Sequence, residues 1–310
     1  MSRENFTRRQ FIASSAALFG AAFLPSCSTR VSTPTAVDQV TLGNTGIKLS
    51  RLGVGTGTLN SGDVQIAIGQ EAFNRLIRYA YDQGITYFDT SVGYKTMPWM
   101  ADALKGLPRE KLFIQSKLER STENPREAID NLRKTLGVEY IDSLLVHGAR
   151  AGNWTEQCKA LMDALDEAKA KKIILAHGAS YHGIPAIETS AGLDWVETNL
   201  IRYNPQGVYM DPVSQESGAA SDVSSVPVVE KHMSTMRARG QGIIAMKVFG
   251  EGRLAQAEDR ATSIRHAMQA GLVDAIVIGF RSPAEIDEAI FHMNTALAEQ
   301  HAEIRYRKAG

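Results

Sequence analysis

The sequence predicts an α/β protein whose fold is a (β/α)8 TIM barrel with an N-terminal β-hairpin. Two observations support this fold class. From Arg51 onward, eight short β-rich runs alternate with longer stretches of helical period, and several of these stretches end in glycine. Eight such units in about 270 residues favour a closed barrel of parallel strands over an open doubly wound sheet.

The elements follow one another in a regular order. Residues 40–50, VTLGNTGIKLS, contain two short apolar stretches around Asn44-Thr45-Gly46 and predict the hairpin. The predicted barrel strands are RLGVGTGTL, ITYFDTS, KLFIQSKL, IDSLLVHG, IILAHGAS, WVETNLIRY, GIIAMKVF and DAIVIGF. The predicted helices are EAFNRLIRYAYDQ, MADALKG, NPREAIDNLRKTLG, EQCKALMDALDEAKAKK, IPAIETSAG, VPVVEKHMSTMRARG, TSIRHAMQAG and PAEIDEAIFHMNTALAEQ. Each strand is therefore followed by a helix that can cross over to the next strand.

Composition limits the possible partners and sites. The chain has 310 residues, of which 44% are hydrophobic, so one large core is expected in a single domain over residues 37–310. Basic and acidic residues number 34 each, and no basic stripe is present, so no nucleic-acid partner is expected. The only cysteines are Cys27 and Cys158, which excludes a disulfide framework and a cysteine-rich metal site. We predict no metal site.

Residues 1–36 differ from the rest of the chain and are predicted to be a signal peptide and linker. Arginines precede the apolar segment FIASSAALFGAAFL, which is too short to span a bilayer as a mature helix. The string TRRQFI resembles a twin-arginine export signal, with Arg8 and Arg9 as the arginine pair. LPSC resembles a lipoprotein box in which Cys27 is lipidated, which implies membrane attachment. We expect an exported protein that is periplasmic or lipid-anchored at the cell envelope. Its signal peptide is expected to bind the export machinery during translocation. The alternative is that the segment is an uncleaved hydrophobic anchor.

Titratable side chains follow three successive predicted strands. Asp89 ends the second strand, Lys117 the third and His147 the fourth, while Tyr94 lies in the loop after Asp89. Taken singly, each has an ordinary structural explanation, such as a turn cap, a solvated lysine or a core histidine. Because the C-terminal ends of barrel strands surround the active site, their joint placement predicts a catalytic cluster.

The chemistry of this cluster suits the protonation of a carbonyl oxygen. Tyr94 alone is a poor acid, but a nearby Lys117 ammonium is expected to lower the pKa of the phenol. Asp89 is expected to pair with Lys117 and keep it charged. His147 can then donate a hydrogen bond to a substrate oxygen where negative charge develops. A general acid beside such a donor fits a carbonyl whose carbon receives hydride.

At the level of motifs, the chain resembles the aldo-keto reductase family. The resemblance rests on LGNTGIKLSRLGVGTG, FDTSVGY, QSK, IDSLLVH, GIIAMK and IGFRSPAEIDE, and covers nearly the whole chain after the signal. It implies a (β/α)8 barrel that reduces small-molecule aldehydes or ketones with a nicotinamide cofactor extended across the barrel mouth. The family's catalytic tetrad falls on Asp89, Tyr94, Lys117 and His147, with Tyr94 as the acid. Relatives that reduce carbon–carbon double bonds carry glutamate at the histidine position, so His147 favours carbonyl chemistry.

The same resemblance suggests how the nicotinamide half of the cofactor is held, and shows departures from the family pattern. Ser180 is retained from the pair that holds the carboxamide, but Tyr181 stands where asparagine is expected. Leu200 replaces the usual glutamine of the sixth strand, and Met246 replaces the tyrosine that stacks on the ring. A methionine sulfur can cover a ring face, although less selectively than an aromatic group.

Other cofactor contacts are expected in the first and seventh loops of the barrel. Gly55 and Thr56 allow the cofactor to approach the first strand closely. Lys247 meets either a cofactor phosphate or a substrate carboxylate, and the equally supported alternative is a solvated strand-end lysine.

The last loop bears on the choice between NAD and NADP. Gly279, Arg281 and Ser282 precede a helix N-terminus and form a predicted phosphate site. Glu285 occupies the position where NADP-using relatives carry arginine; a carboxylate there repels the 2′-phosphate and accepts from a ribose hydroxyl. Glu288 resembles the residue that contacts adenine. Arg281 argues for NADP, so the sequence favours NAD only by a small margin.

The sequence leaves alternatives open for the substrate pocket and for whether the protein is an enzyme. Met97, Trp99 and Tyr181 are candidates for an apolar pocket near Tyr94, although each can equally pack under a loop. The alternative to an enzyme is a non-catalytic barrel that serves the envelope as a ligand-binding or scaffold protein. A metal-dependent barrel hydrolase is disfavoured, because no predicted strand end carries His-x-His or a carboxylate cluster.

Overall fold

A computed structural model describes residues 33–212 and 221–309 of the chain. The predicted signal peptide, with Arg8, Arg9 and Cys27, lies outside the described residues, so export and lipidation stay predictions. None of the helices within the described ranges combines the length and the apolar character that a membrane span requires.

The described chain forms a hairpin followed by a closed barrel of eight parallel strands, which confirms the predicted fold class. The hairpin strands are β1 (Gln39–Thr41) and β2 (Lys48–Ser50). The barrel strands are β3 (Leu52–Gly55), β4 (Tyr87–Asp89), β5 (Phe113–Glu119), β6 (Ile141–Ala149), β7 (Ile174–Tyr181), β8 (Thr198–Arg202), β9 (Gly242–Met246) and β10 (Ala275–Ile278). They pair in chain order, and β10 pairs with β3 to close the barrel.

Helices cover the outside of the barrel. They are α1 (Asp63–Ile66), α2 (Gln70–Asp82), α3 (Met97–Leu104), α4 (Pro125–Leu136), α5 (Trp154–Gln157), α6 (Lys159–Ala170), α7 (Ile184–Ala191), α8 (Ser225–Ala238), α9 (Ala257–Gln269) and α10 (Pro283–Ala309). Two short 3₁₀ turns, Arg109–Lys111 and Gly250–Gly252, lie in connecting loops. The sequence prediction missed the single-turn helices α1 and α5, because one turn is too short to establish a helical period.

Helix α4 shows how the sequence pattern produces this outer layer. Pro125 begins it, where a missing N–H is tolerated, and Gly137 ends it with the left-handed φ of 68° that glycine adopts without strain. Ile129, Leu132 and Leu136 recur at helical spacing and are all buried against the barrel. Burying one such side chain contributes about 1.5–3 kcal/mol, so the apolar stripe attaches the helix to the strands.

The hairpin closes the N-terminal end of the barrel. Leu42 and Leu49 are fully buried and pack in the barrel interior with Tyr87 and Phe113. The contact is close, because a Cβ added to Gly242 would lie 2.5 Å from Leu42 Cγ. The barrel is therefore filled from below, and side chains at the C-terminal strand ends surround its mouth.

Candidate active site

The centre of the mouth is a buried ion pair between neighbouring strands. Lys117 Nζ lies 2.6 and 2.7 Å from the two carboxylate oxygens of Asp89 and donates to Thr90 O at 2.9 Å. Both side chains are almost fully buried. Burial raises the pKa of Asp89 and lowers the pKa of Lys117, and the attraction between the two charges opposes both shifts. The predicted pairing of Asp89 with Lys117 is thus present in the structure.

Tyr94 lies directly beside this pair. Lys117 Nζ is 4.9 Å from the centroid of the Tyr94 ring, and the centroid of the His147 ring is 6.0 Å from it, with the two ring planes at 75°. The structure therefore brings the four predicted catalytic residues together at the ends of three adjacent strands.

One electrostatic expectation for Tyr94 is wrong. The sequence predicts that Lys117 lowers the pKa of the phenol, but in the structure the pKa of Tyr94 is well above its usual value. Burial is the largest cause, and the carboxylates of Asp89, Glu251 and Glu119 add to it. Lys117 donates its hydrogen bonds to Asp89 and the Thr90 carbonyl, and its attraction for a phenolate does not outweigh the burial of the phenol and the nearby carboxylates. Tyr94 therefore keeps its proton well into the alkaline range.

Gly57 makes room for the Tyr94 ring. A Cβ at Gly57 would lie 2.3 Å from two atoms of that ring, which is far inside van der Waals contact. Gly57 follows Thr56, which is buried and whose N–H and hydroxyl both bond to Asp89 O, at 3.1 and 2.9 Å. The first barrel loop therefore shapes the catalytic cluster as well as the groove beside it.

We expect Gly57→Ala to displace Tyr94 and reduce kcat/KM at least about tenfold, because a misplaced acid forfeits proton transfer even at a shift near 1 Å. Steady-state kinetics with a carbonyl substrate measure the effect. Gly192→Ala is the matched control, since a Cβ there has its nearest neighbour at 3.8 Å. Equal activity of the Gly57 variant and its control would show that the close contact does not hold Tyr94 in place.

His147 has partners that the sequence analysis missed. Its Nδ1 lies 2.6 Å from Glu119 Oε1 and 3.3 Å from Ser91 Oγ. The ring of His182 lies 6.1 Å away, and the pKa of His182 is lowered to about 2, mainly by burial and further by the nearby Arg202. Glu119 ends β5 two residues after Lys117, so strand periodicity places both side chains on the same face, a signal that could have identified it.

A groove runs from this cluster across the barrel mouth to the last helix. Its cavity has a volume of about 580 Å³, within the range of small-molecule sites, and its inner end is formed by Asp89 and Tyr94. Seven of the residues predicted to bind the cofactor line it: Gly55, Met246, Lys247, Gly279, Arg281, Glu285 and Glu288. A continuous groove of this kind suits an extended dinucleotide.

Three predicted cofactor contacts lie outside the groove lining. Thr56 is fully buried behind it, and Ser282 accepts a 3.4 Å bond from Glu285 N at the start of α10. Ser180 is buried, and its hydroxyl oxygen accepts a 2.9 Å bond from Gly148 N. Thr56 and Ser282 therefore stabilise the loops around the groove and do not form part of its surface.

Each groove cation described here is paired with a carboxylate. Lys247 pairs with Glu251, which also accepts from Leu59 N at 2.6 Å, and Arg260 makes a two-nitrogen contact with Glu288. Arg281 donates to Glu285 through its backbone N–H and its guanidinium, at 2.7 to 2.9 Å. Sequence reasoning missed Glu251 and Arg260, because the bond of Leu59 N to Glu251 and the pair of Arg260 with Glu288 join residues that are far apart along the chain.

The predicted substrate-pocket residues occupy a different layer. Met97 and Tyr181 are buried among the side chains between strands and helices, and Trp99 packs on the Phe73 ring at 5.6 Å. Tyr181 donates its hydroxyl hydrogen to Asn199 Oδ1 at 2.7 Å. Successive residues of a strand face opposite sides, so Tyr181 is directed away from the barrel mouth. The structure therefore places these three side chains in packing contacts and not along the groove beside Tyr94.

Within residues 33–212 and 221–309, no group of three or more histidine, cysteine, aspartate or glutamate side chains is arranged to hold a metal ion.

Comparisons with known proteins agree with this architecture. The profile of the aldo/keto reductase family matches residues 51–265. The chain is 32% identical over 114 residues to human aldo-keto reductase family 1 member A1, covering 34% of this chain and 32% of that protein. It is 30% identical over 180 residues to a probable aldo-keto reductase 1 of Glycine max, covering 51% of each chain. The matches thus span about a third to a half of these relatives.

Solved structures extend the similarity of fold to most of the described chain. A putative aldo-keto reductase from Pseudomonas aeruginosa superposes with a TM-score of 0.67 at 20% identity, covering 85% of this chain and 97% of that one. The holo form of an aldo-keto reductase from Bacillus halodurans gives a TM-score of 0.65 at 14% identity, covering 85% and 96%. With its closed barrel and a family match over residues 51–265, this chain belongs to the aldo/keto reductase family.

Proposed function

We propose that the protein reduces an aldehyde or ketone to an alcohol with a nicotinamide cofactor, and that Tyr94 is the general acid. The observation that carries this proposal is the position of Tyr94, which lines the groove and lies close to both the Lys117 ammonium of the buried ion pair and the His147 ring. A non-catalytic barrel is not favoured, because burying an ion pair beneath a phenol incurs a desolvation cost that a scaffold has no need of.

The groove residues fit a nicotinamide dinucleotide. Gly55 and Gly279 leave backbone exposed along its floor, and Met246 offers a polarizable apolar surface near the catalytic cluster. The N-terminus of α10, with Arg281 and Glu285, would hold the adenosine end. When bound, the cofactor supplies the hydride that the carbonyl carbon receives.

Side chains of the protein donate the proton that the carbonyl oxygen receives. Because the pKa of Tyr94 is raised, the phenol is protonated before the reaction and gives up its proton only as the carbonyl oxygen becomes a strongly basic alkoxide. Asp89 holds Lys117 in place, and the ammonium next to the Tyr94 ring stabilises the negative charge that the phenol oxygen acquires. His147, whose ring lies 6.0 Å from the Tyr94 ring, would contact the same substrate oxygen.

The charges of the groove support NAD(H) over NADP(H). The Glu285 carboxylate accepts hydrogen bonds from the backbone N–H of Arg281, just before α10, and from the Arg281 guanidinium. The N–H and the guanidinium are the two groups that would attract a 2′-phosphate, and both already have an anionic partner. A phosphate added there would face the Glu285 carboxylate at short range.

We expect Glu285→Gln to raise affinity for NADP(H) about tenfold relative to NAD(H), because it removes one like charge and releases Arg281. Fluorescence titration with both cofactors measures the ratio. Glu71→Gln is the matched control, since it breaks a similar exposed pair with Arg75 on α2. An unchanged ratio in the Glu285 variant would contradict this account of cofactor choice.

A direct test of the proposed function needs two measurements on the purified protein. Titration with NADH and NADPH tests the groove, and oxidation of each cofactor against a panel of aldehydes and ketones tests the reaction. If neither cofactor binds at millimolar concentration, the reductase proposal fails at the groove. If cofactor binds but no carbonyl is reduced, it fails at the catalytic cluster.

We further propose that the enzyme acts outside the cytoplasm. The support is the sequence of residues 1–36, with its paired arginines and lipoprotein-like LPSC. Because the twin-arginine route carries folded proteins, the enzyme would fold around its cofactor before export. Fractionation of cells that carry Arg8→Lys together with Arg9→Lys tests this: the protein should remain in the cytoplasm, whereas normal fractionation of the variant would exclude the twin-arginine route.

A further inference from the structure

The contact between His147 and Glu119 determines where the imidazole carries its proton. A carboxylate only accepts hydrogen bonds, and 2.6 Å between Nδ1 and Oε1 is a distance at which a proton must lie between the two atoms. The same hydrogen bond holds the pKa of Glu119 below its usual value, so Glu119 is ionised. The proton therefore belongs to Nδ1 of His147.

Two further features stabilise this arrangement. Ser91 Oγ lies 3.3 Å from both Nδ1 and the Lys117 carbonyl oxygen, so its hydroxyl can donate to the carbonyl while its oxygen faces the Nδ1 proton. Gly93 leaves room for the carboxylate, because a Cβ there would lie 3.0 Å from Glu119 Oε1. The loop after β4 thus accommodates the pair as well as carrying Tyr94.

The other ring nitrogen is the one available to a substrate. The His147 ring lies 6.0 Å from the Tyr94 ring and 6.1 Å from the His182 ring, and no residue of the described ranges makes a hydrogen bond to its Nε2. A neutral imidazole with its proton on Nδ1 has a lone pair on Nε2 and can only accept there. Donation from Nε2 requires the doubly protonated ring.

We propose that Glu119 is a positioning residue that fixes the tautomer of His147, so that the protonation state of the ring selects the ligand. The neutral ring accepts a hydrogen bond from an alcohol, and the imidazolium donates one to a carbonyl. This inference rests on the proposed function for its substrate, but the tautomer itself is a property of the protein alone. It also adds a condition to the expectation that His147 donates a hydrogen bond to a substrate oxygen, since donation from Nε2 then requires the doubly protonated ring.

Other charges near the ring do not supply an alternative proton acceptor for Nδ1. Lys117 and Arg120 are cations, the pKa of His182 is lowered so that it is neutral, and Tyr94 keeps its proton. Asp89 is occupied by Lys117. The titratable groups that face His147 from the surrounding strand ends are Asp89, Tyr94, Lys117, Glu119, Arg120 and His182.

Nitrogen NMR of the full-length protein with ¹⁵N-labelled histidine tests the tautomer without any substrate. The chain has seven histidines, and His147→Asn identifies the signals of His147 by their disappearance. At alkaline pH we expect the neutral His147 ring to carry its proton on Nδ1. A ring protonated on Nε2 would overturn the proposal.

Kinetics of Glu119→Gln test the consequence for the substrate. In the unaltered protein, kcat/KM for carbonyl reduction should fall about tenfold per pH unit once the imidazolium is lost. The side-chain amide that this substitution introduces is uncharged and can donate to Nδ1 as well as accept from it, so the neutral ring is no longer restricted to one tautomer and can carry its proton on Nε2; the fall should then flatten to less than about threefold per unit. Glu123→Gln, at an exposed residue in the same loop, should keep the original profile. An equally steep fall in Glu119→Gln would overturn the proposal.

The two tests separate this inference from the proposed function. If the unaltered protein reduces no carbonyl, the proposed function fails, and the NMR spectrum still decides the tautomer. If the protein is an active reductase but the ring is protonated on Nε2, the proposed function stands and the role of Glu119 is refuted.

Discussion

The Tyr94→Phe variant should lose about 10²–10⁴-fold in kcat for carbonyl reduction, the range expected when a general acid is removed. The change deletes the proton and leaves the ring that packs against Gly57 and beside Lys117. Binding of NADH should stay within about twofold, because the phenol lies at the end of the groove rather than along it. Steady-state kinetics and a cofactor titration on the same preparation measure both quantities.

Tyr79→Phe is the matched control for this result. It also removes a phenol hydroxyl that bonds to a carboxylate, Asp287 at 2.7 Å, but on the outer helical layer. The control should retain its activity. A Tyr94→Phe enzyme within about fivefold of the unaltered kcat would exclude Tyr94 as the principal acid and would direct attention to the imidazolium of His147.

The second large effect should come from breaking the buried ion pair. Lys117→Met leaves the Asp89 carboxylate buried without its cation, and loss of one partner of such a pair costs about 3–5 kcal/mol of unfolding free energy. Urea unfolding followed by circular dichroism measures the loss. The double variant Lys117→Met with Asp89→Asn should recover most of that stability, because no uncompensated charge remains.

Activity separates the structural role of the pair from its catalytic role. The double variant should fold well yet reduce carbonyls poorly, because no ammonium remains to stabilise the charge that forms on Tyr94. As a comparison on the surface, Lys159→Met breaks an exposed pair with Asp163 and should change stability by less than about 1 kcal/mol. If the double variant were fully active, the pair would serve the fold alone.

The architecture was largely predictable because its signals are local. Strands and helices alternate along the chain, and a glycine such as Gly137 ends a helix where the sequence suggests it does. In a barrel, strand ends in order along the chain become neighbours in space. Asp89, Lys117 and His147 could therefore be placed together from their positions in the sequence alone.

Side-chain direction at the mouth was less predictable. Tyr181 follows Ser180 in the position where the family expects a cofactor contact, yet it faces the helices and bonds to Asn199. A one-residue difference along a strand reverses the face on which a side chain lies. An irregular register between β6 and β7, at Val146 and Ala149, adds a further change that periodicity does not predict.

Within the described residues, the amino-acid sequence by itself determined the barrel, the hairpin and the identity of the four groups in the catalytic cluster, because hydrophobic period and strand order are read along the chain. Only the tertiary structure decided the protonation of those groups and the charge of the groove. Burial and the carboxylates gathered around the phenol raise the pKa of Tyr94, Glu119 holds the Nδ1 proton of His147, and Glu285 neutralises Arg281. The physical reason is that electrostatic energies depend on desolvation and on distances between atoms, which neither composition nor spacing along the chain specifies.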